Sequence, residues 1–223
     1  MAQEPENKSV KSGLTSNIHP RILTNIFNLR KDCNMREMLD LTLEEARARL
    51  LQVVNDKAVF KGEFILASGA KSNYYIDGKY TSLMAEGLAY FAKVVLEMIK
   101  EDDVKYIGGP TLGADPIIGG TIAMSYLLGR PLDGFIVRKE QRDHGRMRMI
   151  EGPLAEGSRV VVIEDVTTSG GSVLKAIKMI EEQKCEVVRV ICLVDRLSGA
   201  EENFKKAGYK FTPIFRVNEL DIG

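Results

Sequence analysis

Val160-Val161-Val162-Ile163-Glu164-Asp165-Val166-Thr167-Thr168-Ser169-Gly170-Gly171-Ser172 is the stretch that decides the fold. Its apolar run, Val160 to Ile163, suits a strand buried on both faces, as in parallel sheets. Glu164 and Asp165 follow at the expected carboxyl end of that strand, where open α/β sheets bind ligands. Thr167 to Ser172 then supply hydroxyls and glycines just ahead of a helical pattern that starts at Val173. Such a turn aims successive backbone N–H groups, and the helix N-terminus behind them, at one anion. Two carboxylates beside an anion cradle suit a ligand with both hydroxyls and a phosphate, such as a ribose 5-phosphate. The familiar alternatives do not fit: Gly-x-Gly-x-x-Gly is missing, and Lys175 lies past the glycines, where a Walker loop cannot use it.

Outward from this stretch, strand and helix alternate. Strands are expected over 104–107, 134–137, 159–163, 187–194 and 210–216. Helices are expected over 83–99, 116–128, 173–182 and 201–207, the last stopped by Gly208. Strands spaced by helices of this length indicate βαβ units and a mainly parallel sheet. Upstream, Thr42 and Glu45 have capping-box spacing ahead of Ala46, Leu50, Val53 and Val54, so a helix should begin at Thr42. Stretches 60–67 and 74–76 read as strands around the turn Ser68-Gly69. Residues 1–17 are polar and interrupted by Pro5 and Gly13, which predicts disorder. The domain organisation expected is a disordered extension over 1–40, with initiation at Met35 as one reading, and a single domain over 41–223. The lead lacks a signal peptide's apolar core, and Glu4 and Glu6 are unlike a transit peptide.

A hydrophobic content of 44% with 28% charged residues is that of a soluble globular protein. Net charge is zero, so nothing global attracts nucleic acid or an acidic membrane. The odd cysteine set, Cys33, Cys185 and Cys192, shows no Cys-x-x-Cys spacing, which argues against a disulfide framework or structural zinc and fits the cytoplasm. Cys192, inside an apolar strand, is expected to be a small core residue.

Four further segments carry chemistry. Arg138-Lys139-Glu140-Gln141-Arg142-Asp143-His144-Gly145 follows an expected strand and runs on through Arg146 and Arg148 to Gly152 with no apolar period. Cations on a glycine-flanked loop suit the gripping of a polyanion, with Gly145 and Gly152 as hinges. Gly108-Gly109-Pro110-Thr111-Leu112-Gly113-Ala114-Asp115 joins a strand to a helix; its glycines allow close approach to a ligand, and Asp115 is expected to cap the helix. Ser68-Gly69 leads into Tyr74-Tyr75-Ile76, and Val194-Asp195-Arg196 ends another strand.

The 160–172 segment resembles the phosphoribosyl-pyrophosphate (PRPP) motif of type I phosphoribosyltransferases. The basic loop resembles the mobile catalytic loop of the orotate phosphoribosyltransferase family, Arg-Lys-Glu-x-Lys-x-His-Gly, matched at Arg138, Lys139, His144 and Gly145, with Arg142 in place of the second lysine. The resemblance implies an α/β fold with a central, mainly parallel sheet flanked by helices and a small hood made from about 41–80 plus C-terminal residues. It implies transfer of a phosphoribosyl group from PRPP to orotate, giving orotidine 5′-monophosphate and diphosphate in UMP biosynthesis. Lys139, Arg142 and His144 would be catalytic. PRPP would be held by these three with Arg138, and by Glu164, Asp165, Val166, Thr167, Thr168, Ser169, Gly170, Gly171 and Ser172. Thr111, Leu112 and Gly113 match the pyrophosphate loop, with Leu112 where some relatives carry lysine. Orotate would meet Thr168, Arg196, Tyr75 and Ile76; many relatives have lysine where Ala67 stands, a loss that Lys71 or Lys79 would offset. The family further implies magnesium carried mainly by PRPP, with no protein metal ligand, and homodimers with shared active sites. The alternatives are a phosphoribosyltransferase for another nucleobase and a non-catalytic PRPP-sensing regulator. Neutral charge and a complete basic loop argue against the regulator.

Overall fold

The computed structural model describes residues 35–65, 69, 71–139 and 149–223. Contacts divide the chain between Asp40 and Leu41. Of the first unit the described part is helix α1 (Met35–Asp40); the expectation for 1–17 lies outside the described residues.

The second unit opens with α2 (Leu43–Val53), started by the capping box anticipated at Thr42. The Thr42 N–H donates to Glu45 Oε2 at 2.9 Å, and the Glu45 N–H donates to Thr42 Oγ1 at 3.2 Å. One wide turn (Val54–Ala58) leads into the antiparallel pair β1 (Val59–Ile65) and β2 (Lys71–Ile76), with a register shift between Lys61 and Phe64. Two helices follow, α3 (Lys79–Ser82) and α4 (Ala85–Met98). The helix expected over 83–99 is present as α4, starting two residues later, while α3, ahead of that range, was not foreseen.

The central sheet comprises β3 (Tyr106–Pro110), β4 (Asp133–Val137), β5 (Ile150–Glu151), β6 (Arg159–Thr167), β7 (Glu186–Asp195) and β8 (Phe211–Arg216). Spatial order is β5-β4-β3-β6-β7-β8, parallel throughout except for β5, which pairs antiparallel with β4. Helices α5 (Ala114–Leu127), α6 (Gly171–Glu182) and α7 (Ala200–Ala207) make the crossovers β3-α5-β4, β6-α6-β7 and β7-α7-β8. Val160, Val161, Val162 and Ile163 are fully buried, as strands covered on both faces must be. Each such side chain contributes on the order of 1.5–3 kcal/mol. Cys192 is equally buried in β7.

Connections run outward in opposite directions from β3 and β6, so the topological switch point lies between these two neighbours. Two expectations need correcting there. Glu164 and Asp165 lie within β6, not beyond it, because β7 stays paired with β6 as far as Thr167↔Asp195. On the other side β3 pairs with β6 only to Gly108↔Val162, which opens a crevice beside the acids. The strand expected over 104–107 is displaced to Tyr106–Pro110, glycines included. A Cβ on Gly108 would lie 2.4 Å from the Phe135 ring, so close strand packing, not a loop, explains that glycine.

The N-terminal segment is tied to the C-terminal one. Arg47 Nε donates to Ile214 O at 3.1 Å while its guanidinium lies 4.7 Å from the Phe215 ring centroid. Lys61 Nζ meets Asp221 Oδ1 at 2.8 Å, and the Asp221 N–H donates to Asn55 Oδ1 at 2.9 Å. Among the described residues no helix is long and apolar enough to cross a membrane.

Candidate active site

Glu164 and Asp165 are 7% and 9% exposed at the switch point. The Asp165 N–H donates to Glu164 Oε1 at 3.1 Å, and the Val166 N–H to Asp165 Oδ1 at 2.7 Å. Ser172 Oγ lies 3.4 Å from Glu164 Oε2. Two glycines let backbone press on the pair: a Cβ on Gly78 would stand 2.9 Å from Asp165 Cβ, and one on Gly113 2.4 Å from Asp165 Oδ1. Lys79 Nζ bonds Asp77 Oδ1 at 2.7 Å and lies 3.9 Å from Asp165 Oδ2. The Asp77 hydrogen bond, with Asp165 adding to it, raises the Lys79 ammonium above its ordinary value.

Burial, reinforced by the neighbouring Asp165 charge, pushes the Glu164 carboxyl up to about 8 from an ordinary 4.5. The folded protein therefore binds more protons than the unfolded chain between those values. This contribution to stability is complete below about 4.5 and is lost as pH rises through about 8. The melting temperature of the ligand-free protein should accordingly fall across that window, and Glu164→Gln should flatten the slope; calorimetry from pH 5 to 9 checks it.

The turn expected to cradle an anion follows directly. Gly170 sits at φ +76°, and a Cβ there would come within 2.7 Å of the Phe204 ring, so only glycine fits. Asn203 Nδ2 donates to Ser169 O at 2.9 Å, fixing the loop from α7. Thr168, Ser169, Gly171 and Ser172 are exposed at the start of α6. Val166 is half-buried, and Thr167 is buried with no partner for its Oγ1 among the described residues.

Thr111, Leu112 and Gly113 lead from β3 to α5, with a cis peptide bond between Thr111 and Leu112. The Thr111 N–H donates to Val137 O at 3.0 Å. Asp115 does not cap α5. Gly113 holds that position, and Asp115 lies in the first turn, where its Oδ2 accepts from Thr111 Oγ1 at 2.7 Å. Leu112 is 65% exposed.

At the carboxyl end of β4 the stem of the basic loop is closed by the Arg138 N–H donating to Met149 O at 2.8 Å. Arg138 Nη1 lies 3.6 Å from Glu151 Oε1, and Lys139 is exposed. Arg142, His144 and Gly145 lie outside the described residues, as does Ala67. Gly152, at φ +106°, has no space for a Cβ, which would meet Gly134 O at 2.6 Å. Its requirement for glycine is therefore steric.

Arg196 follows β7, its N–H donating to Thr167 O at 2.9 Å. Asp195, 1% exposed, accepts the Leu197 N–H at 3.0 Å, and burial raises its carboxyl above the usual range. The Arg196 guanidinium lies 5.6 Å from the centroid of the Tyr74 ring. Alternation along β2 sets Ser72, Tyr74 and Ile76 on the more buried face and Tyr75 on the other. Tyr75 is 40% exposed and packs against Phe64, 5.7 Å between centroids; the Ile76 side chain is buried. Tyr74 was given no role in the sequence, although the period-two pattern of β2 already separates it from Tyr75; Lys79, named there only as an offset for Ala67, lies beside Asp77 and Asp165.

A diacid at the switch point, with an N–H cradle on one side and a glycine loop on the other, defines a phosphoribosyltransferase of type I. Residues 122–217 match the phosphoribosyl transferase domain family. The orotate phosphoribosyltransferase of Bradyrhizobium diazoefficiens is 40% identical over 179 residues, which cover 78% of this chain and 96% of that relative. A crystal structure of Mycobacterium tuberculosis orotate phosphoribosyltransferase in complex with Fe(III) dicitrate aligns with a TM-score of 0.72 at 34% identity, over 79% of this chain and 99% of that one. The same enzyme in complex with PRPP aligns at 0.68 and 32%, with the same coverage. The chain belongs to the orotate phosphoribosyltransferase family.

Proposed function

We propose that this chain transfers the 5-phosphoribosyl group of PRPP to orotate, giving orotidine 5′-monophosphate and diphosphate. The observation that carries the reading is the contact between Gly113 and Asp165, which sets the pyrophosphate loop directly against the diacid at the mouth of the anion cradle. One small ligand with a sugar diol between two phosphate groups fits that layout.

Glu164 and Asp165 accept hydrogen bonds from the ribose hydroxyls. The N–H groups and hydroxyls of Thr168 to Ser172 hold the 5-phosphate, with Val166 and Thr167 fixing the start of the loop through their bonds to Asp165 and Arg196. With the Thr111 N–H bonded to Val137 O, Thr111 anchors this loop, and the backbone N–H groups of Leu112 and Gly113 receive the diphosphate, since the Leu112 side chain offers no charge. Arg196 pairs with the orotate carboxylate; Thr168, Tyr75 and the backbone of Ile76 border the pyrimidine. As the C1–O bond breaks and the bond from C1 to the pyrimidine nitrogen forms, the ribose gains positive charge and the diphosphate negative. Arg138, Lys139 and Arg142 stabilise that leaving group, and His144 supplies a proton to it. Closure of the basic loop excludes water that would otherwise hydrolyse PRPP.

Magnesium, a hard cation suited to diphosphate oxygens, would supply positive charge beside the leaving group that Arg138, Lys139 and Arg142 face. Among the described residues no cluster of three or more His, Cys, Asp or Glu side chains could hold a metal ion, and Glu164 and Asp165 form only a pair. Residues 41–80 with the C-terminal segment form the hood, supported by the Arg47, Lys61 and Asn55 bonds. The functional unit is a homodimer sharing its active sites, in the cytoplasm, where the free, buried thiols of Cys185 and Cys192 would stay reduced.

With magnesium and PRPP present, orotate absorbance should fall and no comparable conversion of uracil, adenine or hypoxanthine should occur. An unchanged orotate spectrum, or faster turnover of another base, would refute the assignment.

A further inference from the structure

We propose that Tyr74 is a positioning residue for carboxylate recognition: its ring holds the Arg196 guanidinium in place for the anionic substrate. This rests on the reading that Arg196 receives the orotate carboxylate. An arginine side chain carries substantial rotamer freedom, and its planar fork recognises a carboxylate in two-point fashion only when that plane is held. The backbone at Arg196 is fixed on both sides. Its own N–H bonds Thr167 O at 2.9 Å, and Asp195 Oδ1 takes the N–H of Leu197, which sits at φ +55°.

The head group is held differently. Arg196 Nε is buried and finds no hydrogen-bond partner among the described residues. Its neighbour is the Tyr74 ring, 5.6 Å from centroid to Cζ and within the range of a cation–π contact. This choice of partner has a chemical consequence. A protein carboxylate would neutralise the guanidinium and occupy its donors, whereas an aromatic face orients the cation and leaves both charge and N–H groups for a ligand. Tyr74 lies on β2 and Arg196 beyond β7, so the contact also joins the hairpin to the carboxyl end of the central sheet, where the site lies. Tyr75, on the opposite face of β2, cannot substitute for it.

Steady-state kinetics with orotate and PRPP test the assignment. Tyr74→Leu should raise the orotate KM roughly tenfold, the scale of a partly desolvated cation–π contact. The PRPP KM and kcat should stay within about twofold, and Tyr74→Phe should restore the parent value because the hydroxyl takes no part. In an Arg196→Ala background Tyr74→Leu should cost nothing further, since the ring acts through the arginine. Should Tyr74→Leu fail to fold, Tyr74→Met removes the aromatic face equally well. Multiplying effects in the double variant, or a Tyr74→Phe as weak as Tyr74→Leu, would overturn the inference while leaving the proposed reaction intact. A parent protein that converts no orotate would instead overturn the reaction itself.

Discussion

Lys139→Ala should turn over about 10²–10³-fold more slowly than the parent protein, the scale of losing one preorganised charge at a developing anion, with an unchanged melting temperature. The reasoning starts at the stem of the basic loop. Val137↔Ile150 pairs β4 with β5, and the Arg138 N–H bonds Met149 O, so the loop leaves the sheet from a fixed point at the carboxyl end of β4. Next in space is β3, whose carboxyl end leads into the proposed pyrophosphate loop. Lys139 is exposed at that exit, so removing its side chain forfeits little packing, and surface changes of this kind usually alter stability by under about 0.5 kcal/mol. The loss should therefore appear in kcat. If the loop serves the neighbouring site of the proposed homodimer, mixing Lys139→Ala with Asp165→Asn protein should restore turnover that neither has alone, because one site of each mixed pair regains both groups. Undiminished kcat in Lys139→Ala would remove the basic loop from the mechanism.

Which parts of this site were legible in the sequence follows from the range of the interactions involved. Val160 to Ile163 declare a doubly covered strand without help from elsewhere, and the capping box at Thr42 is complete within four residues. The extent of β6 is a different matter. Whether Glu164 and Asp165 stand within the strand or past it depends on how far β7 continues alongside, and no local pattern encodes that register. Gly108 and Gly109 read as loop for the same reason: their place in β3 is set by the Phe135 ring and the Ile163 carbonyl, both distant in sequence. Asp115 has the composition of a cap, yet a bond from Thr111 Oγ1 draws it into the first turn. Tyr74 could be separated from Tyr75 by alternation alone, but that its inner face meets Arg196 depends on how hairpin and sheet dock.

Gly113→Ala should lower kcat/KM for PRPP by about 10²-fold, the penalty for an ångström-scale misplacement of binding groups, and it isolates the contact on which the functional reading depends. Gly113 has φ −61° and ψ −38°, so alanine meets no backbone strain there. What it meets is the diacid: the new Cβ would lie 2.4 Å from Asp165 Oδ1 and 2.8 Å from Glu164 Oε1. Either the Asp165 carboxylate turns away from the Val166 N–H that holds it at 2.7 Å, or the pyrophosphate loop withdraws. Both movements separate the ribose-binding groups from the diphosphate-binding ones and leave the core of the sheet untouched. Gly119→Ala is the matched control, since a Cβ there has no neighbour within 4 Å and sits on the same helix. Alanine is favoured over glycine inside a helix by about 1 kcal/mol, so that variant should melt slightly higher and turn over normally. Equal activity in the two variants would mean that the Gly113–Asp165 junction does not hold the substrate, and the single-ligand reading of the crevice would fall with it.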